Sequence, residues 1–449
     1  MHHAKEQRTI NNMNRKLLWV LLLLPFNNNG QNYTSYFTGN NTNIVTSPLG
    51  GICLMGGATE DDNAMKWFLQ RANGGDVLVL RTSGSNGYNS YFYSGLGITL
   101  NSVETIVCNN AMASNESYII QKINQAEAIW FAGGNQWTYI SYWRNTPIDS
   151  AINQAISQRN IVIGGTSAGM AIQGGYYFSA QNGTVTSASA LANPYNPLVT
   201  VDSSAFLNNN ILDNTITDTH FDNPNRKGRI MTFLARIKTD YGAYAKAIAC
   251  DEYTAVCIDT NGIARVFGGH PIYDDNAYFI QSNCGLVVQT PENCTSENPL
   301  TWNLGGFAVK AYQIKGDISG SKTFNLNTWQ SGTGGTWHNW YVSNGSFNEQ
   351  SGTAINCAPL SIDNSSIIPN NIYVYPNPVN DILTIKDIDL LIDNREVHLF
   401  NTYGQEITLK FTKTGHDLIT DLVCLSNGIY LLSIKDKYGR NSSIKIIKN

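Results

Sequence analysis

The sequence predicts an α/β protein with a mostly parallel sheet flanked by helices, followed by a small C-terminal all-β sandwich. Three observations carry that prediction. Seven short apolar runs, bounded by Gly and Asn, lie at 50–57, 76–82, 105–109, 128–134, 160–167, 214–221 and 246–252. They alternate with amphipathic stretches at 61–71, 116–125, 149–158 and 229–238, the pattern of strands buried on both faces between covering helices. From residue 371 onward the pattern changes to tight alternation punctuated by Tyr-Gly and Asn-Gly turns, which reads as a small antiparallel sandwich.

Composition narrows the function classes. With 449 residues, 42% hydrophobic and 11% aromatic, the chain can build more than one core. Charged residues make up 14% and the net charge is -4, so no basic field is available for nucleic acid. A single long apolar run, Leu17–Phe26, excludes a multi-span membrane protein. Ten residues reach about 15 Å as helix, short of a bilayer core of about 30 Å. Arg15 and Lys16 precede the run and a polar Asn-rich stretch follows it, so residues 1–31 read as a secretory signal peptide.

Three regions follow: an α/β domain at 32–347, a polar linker at 348–370 and the sandwich at 371–449. Within the first, segments rich in Gly, Thr and Trp from about Tyr273 to Phe347 read as hairpins that complete the domain. Eight cysteines contain no CxxC pair and no His spacing for zinc, so neither a metal nor another cofactor is expected. Cys284 and Cys294 flank a polar loop and are candidates for a small disulfide in an oxidising compartment. Cys53, Cys250 and Cys257 lie in apolar runs, where a thiol acts as a small hydrophobe.

Gly165-Thr166-Ser167-Ala168-Gly169 follows the apolar run NIVIG and precedes a helical pattern. A GxSxG motif in that context is a nucleophile elbow, with the serine exposed on a strained strand-to-helix turn. The N–H of Ala168 then points to where an oxyanion would form. Gly133-Gly134 ends the preceding predicted strand, so Gly134 can offer a second N–H, and Gln136 beyond it can orient a substrate. The competing reading is a glycine-rich turn packed for structural reasons.

A serine nucleophile needs a base. His2 and His3 precede the apolar run, and His398 and His416 lie in the sandwich. Of His220, His270 and His338, His220 ends a predicted strand, where sites of parallel sheets cluster. Its orienting acid could be Asp251 or Glu252, which close the run KAIAC, or Asp218, two residues away on the same strand. Residue patterns alone do not rank them.

GGTSAGMA, DTHF followed by NRKGR, FLAR and CDEYTA resemble the motifs of peptidase family S51, the cyanophycinase and dipeptidase E group, over about residues 50–270. The resemblance implies a serine peptidase with a class I glutamine amidotransferase-like, or flavodoxin-like, sheet. It implies a triad of Ser167, His220 and Glu252, with Gln136, Asp218, Arg226 and Arg229 at substrate-side positions. Two guanidiniums there suit a carboxylate, which Arg binds bidentately. Two departures stand out: Pro224 and Thr219 occupy positions where cyanophycinases carry Arg and Gln. They set this chain apart from enzymes of cyanophycin itself.

Val374-Tyr375-Pro376-Asn377-Pro378 with Asn427-Gly428-Ile429-Tyr430 resembles the sorting domain of the type IX secretion system of Bacteroidetes. It implies that machinery as a partner, and release from or attachment to the surface of a Gram-negative cell. The expectation is thus a secreted exopeptidase acting on aspartate-linked peptide bonds, with a peptide substrate and a homodimer left open. Two alternatives are a catalytically silent surface-binding protein on a peptidase scaffold and a general acyl hydrolase or esterase.

Overall fold

The computed structural model describes residues 31–203, 205–357, 373–386, 397–401, 405–435 and 441–449. The signal-peptide expectation therefore falls almost wholly outside the described residues, as does the linker beyond Cys357.

The elements of the first unit, in chain order, begin with β1 (Tyr33–Gly39), β2 (Ile52–Met55), α1 (Asp62–Gln70), β3 (Asp76–Arg81), β4 (Ser102–Cys108), α2 (Ser117–Gln125) and β5 (Ala128–Phe131). There follow α3 (Gln136–Trp143), α4 (Pro147–Arg159), β6 (Val162–Thr166), α5 (Ala168–Ala171), β7 (Thr215–Asp218) and α6 (Lys227–Tyr241). Next come β8 (Lys246–Cys250), β9 (Ala255–Ile258), β10 (Ile263–His270), β11 (Asn276–Ser282) and β12 (Val309–Lys315). The unit closes with β13 (Thr323–Asn325), β14 (Gly332–Thr333), β15 (Gly335–Ser343) and β16 (Ser346–Ser351).

Ten strands form one sheet in the order β1-β4-β3-β5-β6-β2-β9-β10-β13-β14. Its middle, β4-β3-β5-β6-β2, is parallel throughout. Every residue of β2, β5 and β6 is buried, which is why these strands read as unbroken apolar runs. Adjacent residues face opposite layers: Trp130 packs with Phe68 and Phe92, and Phe131 packs with Tyr139, Trp143 and Phe206.

The helices are cut by local signals. The Asp61 carboxylate accepts from the backbone N–H groups of Asn63 and Ala64 and starts α1. α4 opens on Pro147, ends at Asn160 in the left-handed conformation, and buries Ile148, Ala151, Ile152 and Ala155, the spacing of one helix face.

Two features differ from the sequence expectation. The sheet is mixed, and the runs at 214–221 and 246–252 do not join it. Antiparallel β9 pairs with β2 from Ile52 to Met55 and so occupies the edge they would need. Instead β7 and β8 pair in parallel within a second sheet, β16-β15-β12-β11-β8-β7. The segments from Tyr273 to Phe347 extend both sheets, and β16 carries the first unit past residue 347 to Asn356. The second sheet has its own core, including Phe178, Phe221, Phe233, Trp302 and Trp340. Cys294 belongs to that core as a buried free thiol, while Cys284 is disulfide-bonded. The expected Cys284–Cys294 loop is therefore not formed, because Cys294 is held among apolar side chains.

The C-terminal unit has two four-stranded antiparallel sheets around Val379, Leu383, Leu399, Leu418, Leu432 and Ile446. Asn377 of the PNP motif accepts from Ile447 N and donates to Lys445 O. The motif thereby pins the last strand.

Phe131 sits at the junction of β5, α3 and the Phe206 loop. Phe131→Ala should cost about 3–5 kcal/mol. Urea denaturation, compared between the variant and the parent chain, measures the loss.

Candidate active site

β6 delivers Ser167 at its carboxyl end. Ser167 has φ 52 and ψ -115, a region that L residues occupy only when the surroundings enforce it. The glycines of the motif make room for it. A Cβ on Gly165 would strike the backbone of Gly169, and one on Gly169 would strike the carbonyl of Phe131. α5 begins at Ala168, and no described group takes up the N–H of Ala168 or of Gly134. A Cβ on Gly133 would lie 3.7 Å from the Ser167 Cβ, so the Gly133-Gly134 backbone flanks the nucleophile position.

His220 follows β7 with φ 45, and Glu252 follows β8. Ser167 Oγ lies 2.8 Å from His220 Nε2, and His220 Nδ1 lies 2.6 Å from Glu252 Oε1. In the tautomer this geometry favours, Nδ1–H donates to Glu252 and Nε2 accepts from the serine hydroxyl. The His220 and Glu252 side chains are 25% and 19% exposed, so the relay is shielded yet open to a ligand. The hydrogen bond from His220, with a weaker one from Asn223 Nδ2 at 3.4 Å, holds the Glu252 carboxyl below its ordinary range. Glu252 is therefore ionised across the neutral range. Its backbone N–H donates to Asp222 Oδ1.

Glu252 and its neighbour have opposite fates. Asp251 turns into the second sheet, where Oδ2 accepts from the backbone and side-chain nitrogens of Asn276 and Oδ1 has no partner. Burial pushes its carboxyl up to about 7. Asp218 also stays away from the imidazole. Its carboxylate is held by Arg229 through Nε at 2.9 Å and through Nη2, and both side chains are 4% exposed. Asp218 and Arg229, expected at substrate-side positions, are thus paired with each other inside the protein.

Arg226 remains on the site side. Nη1 donates to Thr219 O, Nε is without a partner, and burial beside Arg229 pushes the guanidinium down to about 10, still charged at neutral pH. Gln136 begins α3 and spends its amide N–H on Phe178 O at 2.8 Å. His338 is engaged by Glu349 and Thr336, and His270 ends β10. Among the described residues no cluster of His, Cys, Asp and Glu could hold a metal ion.

Sequence reasoning missed the shelf beneath the relay. Met55 O accepts from Ser167 N at 3.0 Å, Gly56 O from His220 N at 2.9 Å, and Gly57 O from Tyr253 N at 3.1 Å. A Cβ on Gly57 would collide with Nε2 and Cε1 of His220. The Met-Gly-Gly ending of the 50–57 run was its available signal.

Comparisons with known proteins bear on the family rather than on single residues. Residues 81–266 match the family model for peptidase family S51, and residues 373–449 match that of the secretion system C-terminal sorting domain. The latter marks a type IX export route, with the chain secreted or attached to the cell surface. A cyanophycinase of Synechococcus elongatus is 22% identical over 230 residues, 49% of this chain and 66% of its own length. One of Geminocystis herdmanii is 27% identical over 146 residues, 32% of this chain and 48% of its own. The chain thus spans 66% of the length of the first of these relatives. Among solved structures, a peptidase from an acI-B1 actinobacterium shares 15% identity over 50% of this chain and 89% of its own, with a TM-score of 0.38. A putative peptidase E from Listeria monocytogenes shares 18% over 49% of this chain and 98% of its own, with a TM-score of 0.33.

Two predictions follow from this geometry. Gly57→Ala displaces the imidazole and should lower turnover by about 10²-fold or more, the cost of misplacing a catalytic group by about 1 Å. Circular dichroism should meanwhile show a folded chain. The second concerns pH. Folded, Asp251 keeps its proton up to about pH 7; its ordinary value is 3.8. The folded state therefore binds more protons between those values, and the stability from this group, full below that range, falls as pH rises through it. Relative to the parent, Asp251→Asn should gain several degrees in thermal midpoint between about pH 4 and about pH 8. A constant difference would contradict this.

Proposed function

We propose that this chain is an exported serine exopeptidase that hydrolyses aspartate-linked peptide bonds through Ser167, His220 and Glu252. The supporting observation is the continuous relay from the Ser167 hydroxyl through the His220 imidazole to the Glu252 carboxylate, at 2.8 and 2.6 Å, on a strained elbow.

The chemistry follows from the geometry. Ser167 Oγ attacks the scissile carbonyl carbon while His220 Nε2 takes its proton. The developing oxyanion is received by the N–H groups of Ala168 and Gly134. Each such donor is typically worth about 2.7–4 kcal/mol. His220 then hands its proton to the leaving amine, and the tetrahedral intermediate collapses to an acyl-enzyme on Ser167. Glu252 fixes the tautomer and stabilises the imidazolium without taking its proton. Water activated by His220 releases the acyl group.

For the substrate, the guanidinium of Arg226, charged at neutral pH and in no described ion pair, supports recognition of a carboxylate beside the scissile bond, either an aspartyl side chain or an α-carboxylate. Arg229 is already neutralised by Asp218, so the recognition falls to a single guanidinium. Pro224 and Thr219 make cyanophycin a poor substrate in this reading.

Ser167→Ala should lower hydrolysis by at least about 10⁴-fold and abolish labelling by a fluorophosphonate. Arg226→Ala should raise KM for α- and β-aspartyl dipeptides while leaving neutral dipeptides unaffected. Equal rates on aspartyl and neutral dipeptides in the parent chain would contradict the carboxylate reading. Activity retained by Ser167→Ala would remove the nucleophile assignment.

A further inference from the structure

Two thiols face each other beneath the site. Cys53 in β2 and Cys257 in β9 are direct partners in an antiparallel pairing, although 204 positions separate them in the chain. Their sulfurs are 3.6 Å apart, both residues are fully buried, and both are free thiols in this structure. Directly opposed residues of antiparallel strands have Cα atoms about 4.5–5.5 Å apart. That lies within the span of about 4.4–6.8 Å that a disulfide bridges without moving the backbone.

Their place in the fold gives the pair a consequence. Cys53 lies two residues before Met55, the start of the shelf on which Ser167, His220 and Tyr253 rest. Cys257 lies five residues after Glu252. A covalent link between them would fasten the strand that carries the shelf to the strand that leaves the acid. A sorting-domain match at 373–449 routes the chain out of the cell, through a compartment where disulfides form and persist.

We propose that Cys53 and Cys257 become a cross-strand disulfide in the exported protein, a staple under the site. Two S–H bonds are lost and one S–S bond forms. The two electrons and two protons pass to the disulfide of a protein thiol oxidase, which becomes a dithiol. Once folded, neither sulfur is open to solvent, and burial also pushes the Cys257 thiol well up, so exchange with external thiols is slow. The bond therefore forms while the chain folds and is then protected from reductants. Cys250, a third buried thiol, contacts the Leu54 carbonyl and stays reduced.

The full-length chain, recovered after export, is denatured in a thiol-blocking reagent and digested without reduction, and the peptides are weighed. A peptide joining Cys53 to Cys257 is expected, with Cys250 blocked as a thiol. If Cys53 and Cys257 both carry the blocking group while Cys284 is found in its disulfide, the proposal is overturned, since that bond proves the sample was oxidised. A second readout uses heat. Dithiothreitol, added during unfolding, should lower the thermal midpoint of the parent by several degrees more than that of the Cys53→Ala/Cys257→Ala chain. An equal shift in both contradicts the staple.

Discussion

Three consecutive carbonyls at the carboxyl end of β2 hold the site together. Met55, Gly56 and Gly57 receive the backbone N–H groups of Ser167, His220 and Tyr253 in that order. Each of those three residues has a positive φ, at 52, 45 and 61, and each such conformation costs on the order of 1–3 kcal/mol when nothing enforces it. One strand end therefore fixes three unfavourable backbone turns at once. It can do so because β2 is buried and paired on both edges, by β6 and β9. The shelf also has to be thin: Gly56 lies against the backbone at Asp251 and Gly57 against the imidazole, with no room for a Cβ.

This constraint explains how two sheets share one site. The Ser167 hydroxyl follows β6 of the large sheet, while the His220 imidazole and the Glu252 carboxylate follow β7 and β8 of the second. No strand pairing joins the sheets at that point, so register between them is carried by the shelf carbonyls. Electrostatics reinforces the division. The Asp251 carboxyl is buried against Asn276 and kept near neutrality, leaving Glu252 as the ionised partner of His220. Asp218 and Arg229 cancel each other in the interior. Removing either partner would leave a buried charge without compensation, a loss of about 3–5 kcal/mol.

Much of this was legible in the sequence, for physical reasons. The parallel strands are buried on both faces, so their apolar runs stand out, and Ser167 announces itself through glycines that no larger residue could replace. His220 was reachable by elimination. The choice between Asp251 and Glu252 was not legible from patterns alone. It depends on which way two successive side chains turn as the backbone leaves β8, and family resemblance supplied what residue patterns could not. The partition into two sheets was hidden because β7 and β8 have the same apolar pattern as the strands of the large sheet. Only the antiparallel pairing of β9 with β2 excludes them. Arg229, implied at a substrate-side position by the resemblance, carries no local sign of burial, which became visible only when Asp218 lay opposite it.

The same architecture separates what acts on a bond from what selects it. Ser167, His220 and Tyr253, the residue after Glu252, hang on the shelf through backbone contacts, which side-chain substitutions leave in place. The departures from the family pattern, Thr219 and Pro224, lie on the segment from β7 to α6, which closes largely on itself. Asn223 N donates to His220 O, Arg226 N to Phe221 O, and Arg226 Nη1 to Thr219 O. Phe221 anchors the segment in the second core against Tyr278 and Trp340. Side chains that project from this loop can change without disturbing the carbonyls that fix the relay. Under the proposed function, an intact relay beside altered neighbours is the pattern expected when the bond chemistry is kept and the ligand is changed.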